Sequence, residues 1–229
     1  MFFQSNTSMR ASSQIIPRIE LIRERVFQTF SNGPNKGENF EKNLKNLLSV
    51  MDKLTAEDVK LDKSLLKAHR LAPVTYIEIL KTTKYVINMF VLRPESKLPL
   101  HDHPAMHGIC KVVSGKVNIK NFSLIAEGFS TLGMERLLTV KEPERTLTEK
   151  DPAVLLTPSK GNIHELQAKE DGAAFVDVLA PPYSSSIEGV GPRTCNYFEE
   201  VGENLGYTEL VKIENAPDFW TDVSPYLGP

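Results

Sequence analysis

The sequence predicts a mainly β fold, an antiparallel sandwich or barrel, preceded by a short helical segment. Three observations predict it. After Pro73 the chain breaks into many short runs rich in β-branched and aromatic residues. Turn-forming residues separate these runs, and no helical period intervenes. Before residue 71, by contrast, apolar residues recur at spacings of three and four, the period of a helix with one buried face.

The elements follow in chain order. Residues 1–14 are polar, serine-rich and without period, so they are expected to be disordered. Ile15, Ile19, Ile22, Val26 and Phe30 mark the first helix. The loop SNGPNKGEN (31–39) separates it from a second, marked by Phe40, Leu44, Leu47, Leu48, Met51 and Leu54. TAED (55–58) resembles a capping box with Asp in place of Glu. Both helices are expected to pack on the main domain. VTYIEIL (74–80), KYVINMFVLR (84–93), AVLLTP (153–158), AAFVDVLAPP (173–182), CNYFEEV (195–201) and ELVKIE (209–214) read as strands. GICKVVSGKVNIKNF (108–122) reads as a hairpin turning at Ser114–Gly115. The domain division is thus 1–14 as the disordered N-terminus, 15–70 as the helical segment and 71–229 as the β domain.

Composition bounds the function. The 229 residues suffice for one domain with an accessory segment. Lys and Arg total 27 against 29 Asp and Glu, so no basic excess points to nucleic acid. No apolar run approaches the ~18 residues of a membrane span. Two cysteines, Cys110 and Cys195, make no disulfide framework and favour a reducing compartment. A cytoplasmic monomer is the expectation. Arg10, Arg18 and the early serines leave a mitochondrial leader as the weaker alternative.

Three of the five histidines fall in LPLHDHPAMHGIC (98–110). His101 and His103 are two apart, which places them on one face of a strand end. Neutral imidazoles on one face can hold a metal. His164, in TPSKGNIHELQA, follows a Gly-containing turn and is the natural third ligand. Together, Pro99, His101, His103, Pro104 and Gly115, then Pro158, Gly161 and His164, resemble the paired motifs of the cupin superfamily, a jelly-roll β-barrel. The Glu that commonly follows HxH in cupins is missing; Met106, His107 and Gly108 stand there. Three neutral ligands leave a divalent ion its full charge, which suits an anionic partner such as a thiolate. The same set also fits zinc.

LPLHDHPAMHGICKVVSGKVNI resembles the metal-binding block of the cysteamine (2-aminoethanethiol) dioxygenase and plant cysteine oxidase family. LAPVTYIEI (71–79), LTPSKGNIHEL (156–166), AAFVDVLAPPY (173–183) and APDFWTDVSPYLGP (216–229) resemble the same family, so the likeness runs from about residue 40 to the end. One departure is Ala105, where Gly is expected in HPGM; its methyl group is expected to narrow the pocket floor. The resemblance implies Fe(II) held by His101, His103 and His164. It implies addition of both atoms of O2 to a thiol sulfur, giving a sulfinic acid. The substrates it implies are cysteamine, giving hypotaurine, and the N-terminal cysteine of proteins, where the product is an oxygen-dependent degradation signal.

Other residues carry open readings. Asp177 interrupts an apolar strand; it is either a catalytic or ammonium-binding carboxylate, or a structural acid bonded to backbone or to an Arg such as Arg193. Tyr183 either lines the pocket or caps the barrel end. His107 shares strand parity with the pair, although Pro104 interrupts it, and is expected with Met106 to line the pocket. Cys195 and Tyr197, two apart, form either a packed pair or a thioether like that of the distantly related cysteine dioxygenases. Cys110 reads as a small core residue, His69 as an ordinary histidine, and Phe219 and Trp220 as barrel packing. The stretches 126–149 and 184–192 are expected as loops controlling the mouth. Two alternatives remain: a cupin using another metal for isomerisation or hydrolysis, and a non-catalytic binding cupin.

Overall fold

The computed structural model describes residues 16–33, 37–67, 72–128 and 135–229. The expectations for residues 1–14, Ile15 and His69 lie outside the described residues. Helix α1 (Arg18–Phe30) starts directly after Pro17, whose fixed φ suits a helix entry. Its buried face is Ile19, Ile22, Val26 and Phe30, the periodic set. Helix α2 (Phe40–Met51) buries Phe40, Leu44, Leu47 and Met51. The 55–58 box forms its reciprocal bonds, Thr55 N–H to Asp58 Oδ2 and Asp58 N–H to Thr55 Oγ1. It closes a turn rather than a helix, and Asp58 also pairs with Arg18 of α1.

Among the described residues thirteen strands follow, and two of them organise the rest. In order they are β1 (Val74–Lys81), β2 (Val86–Leu92), β3 (Lys97–His101), β4 (His107–Gly128), β5 (Arg136–Lys141), β6 (Arg145–Thr148), β7 (Val154–Leu156), β8 (Ile163–Ala180), β9 (Ser186–Ile187), β10 (Gly191–Pro192), β11 (Tyr197–Asn204), β12 (Tyr207–Ile213) and β13 (Thr221–Val223). Strands β4 and β8 pair antiparallel from His107 opposite Ala180 to Phe122 opposite Ile163. The hairpin expected over 108–122 is therefore absent. Gly115 adopts φ 76°, as a turn glycine would, but the ladder resumes beyond it, at Val117 opposite Ala168. Ladder irregularities lie on both sides of Gly115, and Gly172 on β8 also has positive φ, 73°. The glycine bends a continuous strand instead of reversing it.

That bend divides both strands between two facing layers. The 173–180 half of β8 pairs with β2, which continues to β1 and β13. The 163–168 half pairs with β3. The stretch 126–149, expected as a loop, holds the end of β4 and strands β5 and β6. The order β8–β3–β11–β12–β5–β4 closes on itself through the β4–β8 ladder; the barrel expected of the fold is closed, with six strands. Closure between β3 and β11 rests on one residue pair, His101 opposite Tyr197. Along β8, Ala174, Val176 and Val178 join the helices in one apolar cluster. Ala173 and Phe175 face the other way, into a core with Leu98, Val112, Val117 and Leu166. The alternation of period two thus packs one side on helices and the other on the opposing layer.

The C-terminal segment lies along the β1 edge. Strand β13 runs parallel to β1, and Asp222 reaches Arg93 at 3.4 Å. Phe219 packs partly against the inner core, as expected. Trp220 does not: it is 51% exposed.

A Cβ added at Gly115 would stand 2.2 Å from the Gly172 carbonyl oxygen, in a left-handed conformation besides. Gly115→Ala is expected to destabilise the fold by about 2–4 kcal/mol, read as a lower urea midpoint with unchanged slope.

Candidate metal centre

Strand β3 ends on His101, and β8 begins one residue before His164. An irregularity after Leu98 sets these two histidines directly opposite each other. His103 lies beyond the strand end, so the shared-face argument does not bring it in; a turn does. The Met106 N–H donates to the His103 carbonyl at 3.1 Å. The His103 N–H donates to Asn162 Oδ1 at 3.2 Å, and Asn162 Nδ2 donates to the carbonyls of Met106 and Thr157. Asn162 thereby ties the first histidine block to the second. Ala105 takes φ 51° within this turn, the left-handed region that explains why Gly is the expected residue. It is exposed and lines the open cleft bordered by Asp102 and Asn162.

The three rings are buried, at 5%, 1% and 1% exposure for His101, His103 and His164. His103 Nε2 and His164 Nε2 are 3.0 Å apart, and one ring nitrogen from each of the three lies within 4.8 Å of the others. Among the described residues no carboxylate joins them. Burial holds His101 down to about 4 and the other two well below the ordinary imidazole range. Each ring is therefore neutral and offers a lone pair. His101 Nδ1 donates to the Pro99 carbonyl at 2.7 Å, leaving Nε2 for a metal. His103 Nδ1 lies 2.9 Å from the Tyr183 hydroxyl, which donates to the Asp102 carbonyl at 2.6 Å. Outer partners of this kind fix the tautomer of a ligating imidazole. The donor set fits a divalent transition metal with open positions.

Tyr183 thus sets its hydroxyl behind the His103 ring rather than capping the barrel in water. Burial pushes its pKa well above the usual tyrosine value, so it stays protonated. Cys195 precedes β11 and is within hydrogen-bonding reach of both Tyr183 and Tyr197. Burial raises its thiol to about 11 and the Tyr197 hydroxyl to about 12, so neither ionises at neutral pH. Met106 is fully buried in an apolar cluster with Val86, Leu179 and Tyr183.

Asp177 lies on the face of β8 that carries Phe175, opposite Cys110 on β4 and Asn88 on β2. It is 4% exposed, and its Oδ1 has no partner among the described residues. Burial raises its carboxyl to about 7. Arg193 is not its partner: the guanidinium donates to the carbonyls of Pro104 and Ser186. His107 also departs from expectation. It is buried against Phe30 and Phe40, with ring centroids at 6.3 and 5.4 Å, because its strand parity is that of Ile109 and the helix-facing cluster. It supports the helices and does not line the pocket. The sequence does not single out Asn88. An amide inside VINMFVL is nonetheless the same signal as a carboxylate inside AAFVDVLA. Segments 126–149 and 184–192 both contribute, through Glu127, Arg136, Ile187 and Val190, to a cleft of about 550 Å³ bordered by Asp102 and Asn162.

The family model that matches is PCO_ADO, over residues 50–229. The chain is 31% identical to the 2-aminoethanethiol dioxygenase of Mus musculus across 97% of each chain. It is 29% identical to plant cysteine oxidase 1 of Arabidopsis thaliana, over 90% of this chain and 78% of that one. A cupin superfamily protein from Desulfitobacterium hafniense aligns with TM-score 0.36 and 12% identity, over 53% of this chain and 88% of its own.

A carboxyl near 7 when folded and near 3.9 when unfolded makes the native state bind the extra proton between about pH 4 and 7. Its contribution to stability therefore falls as pH rises through that window, then levels off. Asp177→Asn removes the effect. The variant is expected to gain on wild type by on the order of 2–4 kcal/mol between pH 4 and 8, measured by urea unfolding across that range. Parallel pH profiles would contradict it.

Proposed function

The chain belongs to the PCO_ADO family, and from that premise we propose that it is a non-haem iron thiol dioxygenase acting on thiols two carbons from an amine. The observation that carries the reading is the group of three neutral imidazoles with no carboxylate among them; the same barrel holds a buried carboxyl whose Oδ1 has no partner among the described residues. The reaction is RSH + O2 → RSO2H. Both oxygen atoms end on sulfur, sulfur loses four electrons, and O2 takes all four, so no outside reductant enters. The substrates are cysteamine, giving hypotaurine, and an N-terminal cysteine of a protein, giving an oxygen-dependent degradation signal.

Fe(II) held by His101, His103 and His164 would supply the redox chemistry and, with its charge uncompensated by ligands, favour a thiolate. The protein's own residues do the rest. The Pro99 carbonyl and the Tyr183 hydroxyl hold two of the rings in orientation. Tyr183 is in this reading a positioning residue. Asp177 gives up its proton to face the substrate ammonium, which supplies the partner its Oδ1 lacks. Met106, Val86 and Leu179 exclude water around the reacting sulfur. Cys195, kept as a thiol by burial, packs with Tyr197 at the barrel closure.

Iron-loaded protein is expected to consume O2 and form sulfinate when given cysteamine or a Cys-initiated peptide. Activity with zinc but not iron would replace the reading with hydrolytic or isomerase chemistry; silence with either metal would leave a binding protein. His164→Ala should lose stoichiometric iron and at least 99% of turnover while keeping the wild-type circular dichroism spectrum. Full iron occupancy in that variant would take His164 out of the ligand set.

A further inference from the structure

Asp102 stands between two of the three candidate ligands, His101 and His103, and each of its polar groups is engaged. Strand β3 meets β11 at one residue pair, His101 opposite Tyr197. That register sets Asp102 against Asn196 at the next step. The Asp102 N–H donates to the Asn196 carbonyl at 3.1 Å, as an antiparallel ladder requires. The return bond of such a ladder runs from the second N–H to the first carbonyl. Here both ends of that bond go elsewhere. The Asp102 carbonyl accepts from the Tyr183 hydroxyl, the same hydroxyl that meets His103 Nδ1. The Asn196 N–H donates to Asp102 Oδ1 at 2.8 Å, and Asn196 Nδ2 donates to Oδ2 at 2.9 Å. A side-chain carboxylate therefore carries the seam one step past the backbone ladder. Its carbonyl is thereby free to hold Tyr183 behind the His103 ring.

That seam is the thin wall of the site. On one side of His101 lies β8, where pairing continues back to Lys97 opposite Gln167. On the other lies β11, with one ladder pair and, beneath it, the apolar cluster that Leu100 shares with Phe198. Asp102 and Asn196 both line the cleft, while the three rings behind them are buried. An ion reaches or leaves buried rings through a local opening, and opening is cheapest where few bonds cross. Parting Asp102 from Asn196 also releases the residue that joins His101 to His103, so two of the three donors loosen together.

We infer that Asp102 and Asn196 form a latch on the β3–β11 seam that positions His101 and His103 and sets how fast a divalent metal leaves the site. Both are positioning residues, acting on the ion through the two histidines. The inference rests on the reading of His101, His103 and His164 as metal ligands and adds what retains the ion. The carboxylate in HDH is thus spent on the seam rather than on the metal.

The test follows release of Fe(II) from the iron-loaded full chain into excess coloured chelator, in the absence of oxygen. Asn196→Asp sets two carboxyl groups face to face and is expected to speed release about tenfold, the low end of what losing an outer partner of a ligand costs. Asn196→Ala removes only the Nδ2 bond and is expected to speed it by a smaller factor; it decides the matter alone if Asn196→Asp does not fold. Combining Asp102→Asn with Asn196→Asp reverses donor and acceptor within the pair, and release is expected to return most of the way to the wild-type rate. Gly115→Ala, destabilised away from the seam, is the control and is expected to release iron at the wild-type rate while folded. Unchanged release in both single variants, no recovery in the reversed pair, or equal acceleration in Gly115→Ala would overturn the inference and leave the ligand set intact. Wild-type protein that takes up no iron would remove the ligand reading, and the inference with it.

Discussion

Backbone pairing between β4 and β8 runs from His107 opposite Ala180 to Phe122 opposite Ile163, and the site hangs from it. One half of β8 presents His164; the other presents Asp177 and, through its pairing with β2, Asn88. The ladder supplies what a metal centre needs most, donor atoms held in place before any ligand arrives. Side chains on loops alone would have to be ordered at binding, at an entropic cost. Here only His103 leaves a strand, and Asn162 fastens it back to the second block.

Electrostatics follow from that burial. Three imidazoles kept neutral by desolvation can crowd within 4.8 Å without repulsion. The same desolvation raises the Asp177 carboxyl to about 7, so about half of it is neutral at neutral pH and the barrel interior carries less charge than an ordinary carboxylate would give it. A cationic amine and an anionic thiolate entering together would bring opposite charges to the two places ready for them. In the proposed reaction, substrate and site would be matched as a pair of dipoles rather than as a single ionic contact.

Much of this was legible in the sequence, and what was not has a physical reason. The candidate ligand histidines stand out because imidazole is rare in this chain and the three positions fall near Pro and Gly punctuation. The buried faces of α1 and α2 follow from periodicity alone. Gly115 misleads because positive φ serves a bulge as well as a turn, and only the distant partner strand decides which. Strands β5 and β6 are hidden because their solvent faces carry charge and their alternation is short. His107 shares parity with His101 on paper. The turn through Ala105 and Met106 resets the register, and His107 faces the helices instead.

The corner at Gly115 and Gly172 has a geometric consequence. It lies in the two long strands between the row that carries Asp177 and the row that carries His164. The span from the acid to the histidine cluster is therefore set by how sharply two backbones fold, as the legs of a calliper are set by its joint. A differently bent joint would hold the acid and the histidine cluster at a longer or shorter separation, with every side chain in the pocket unchanged.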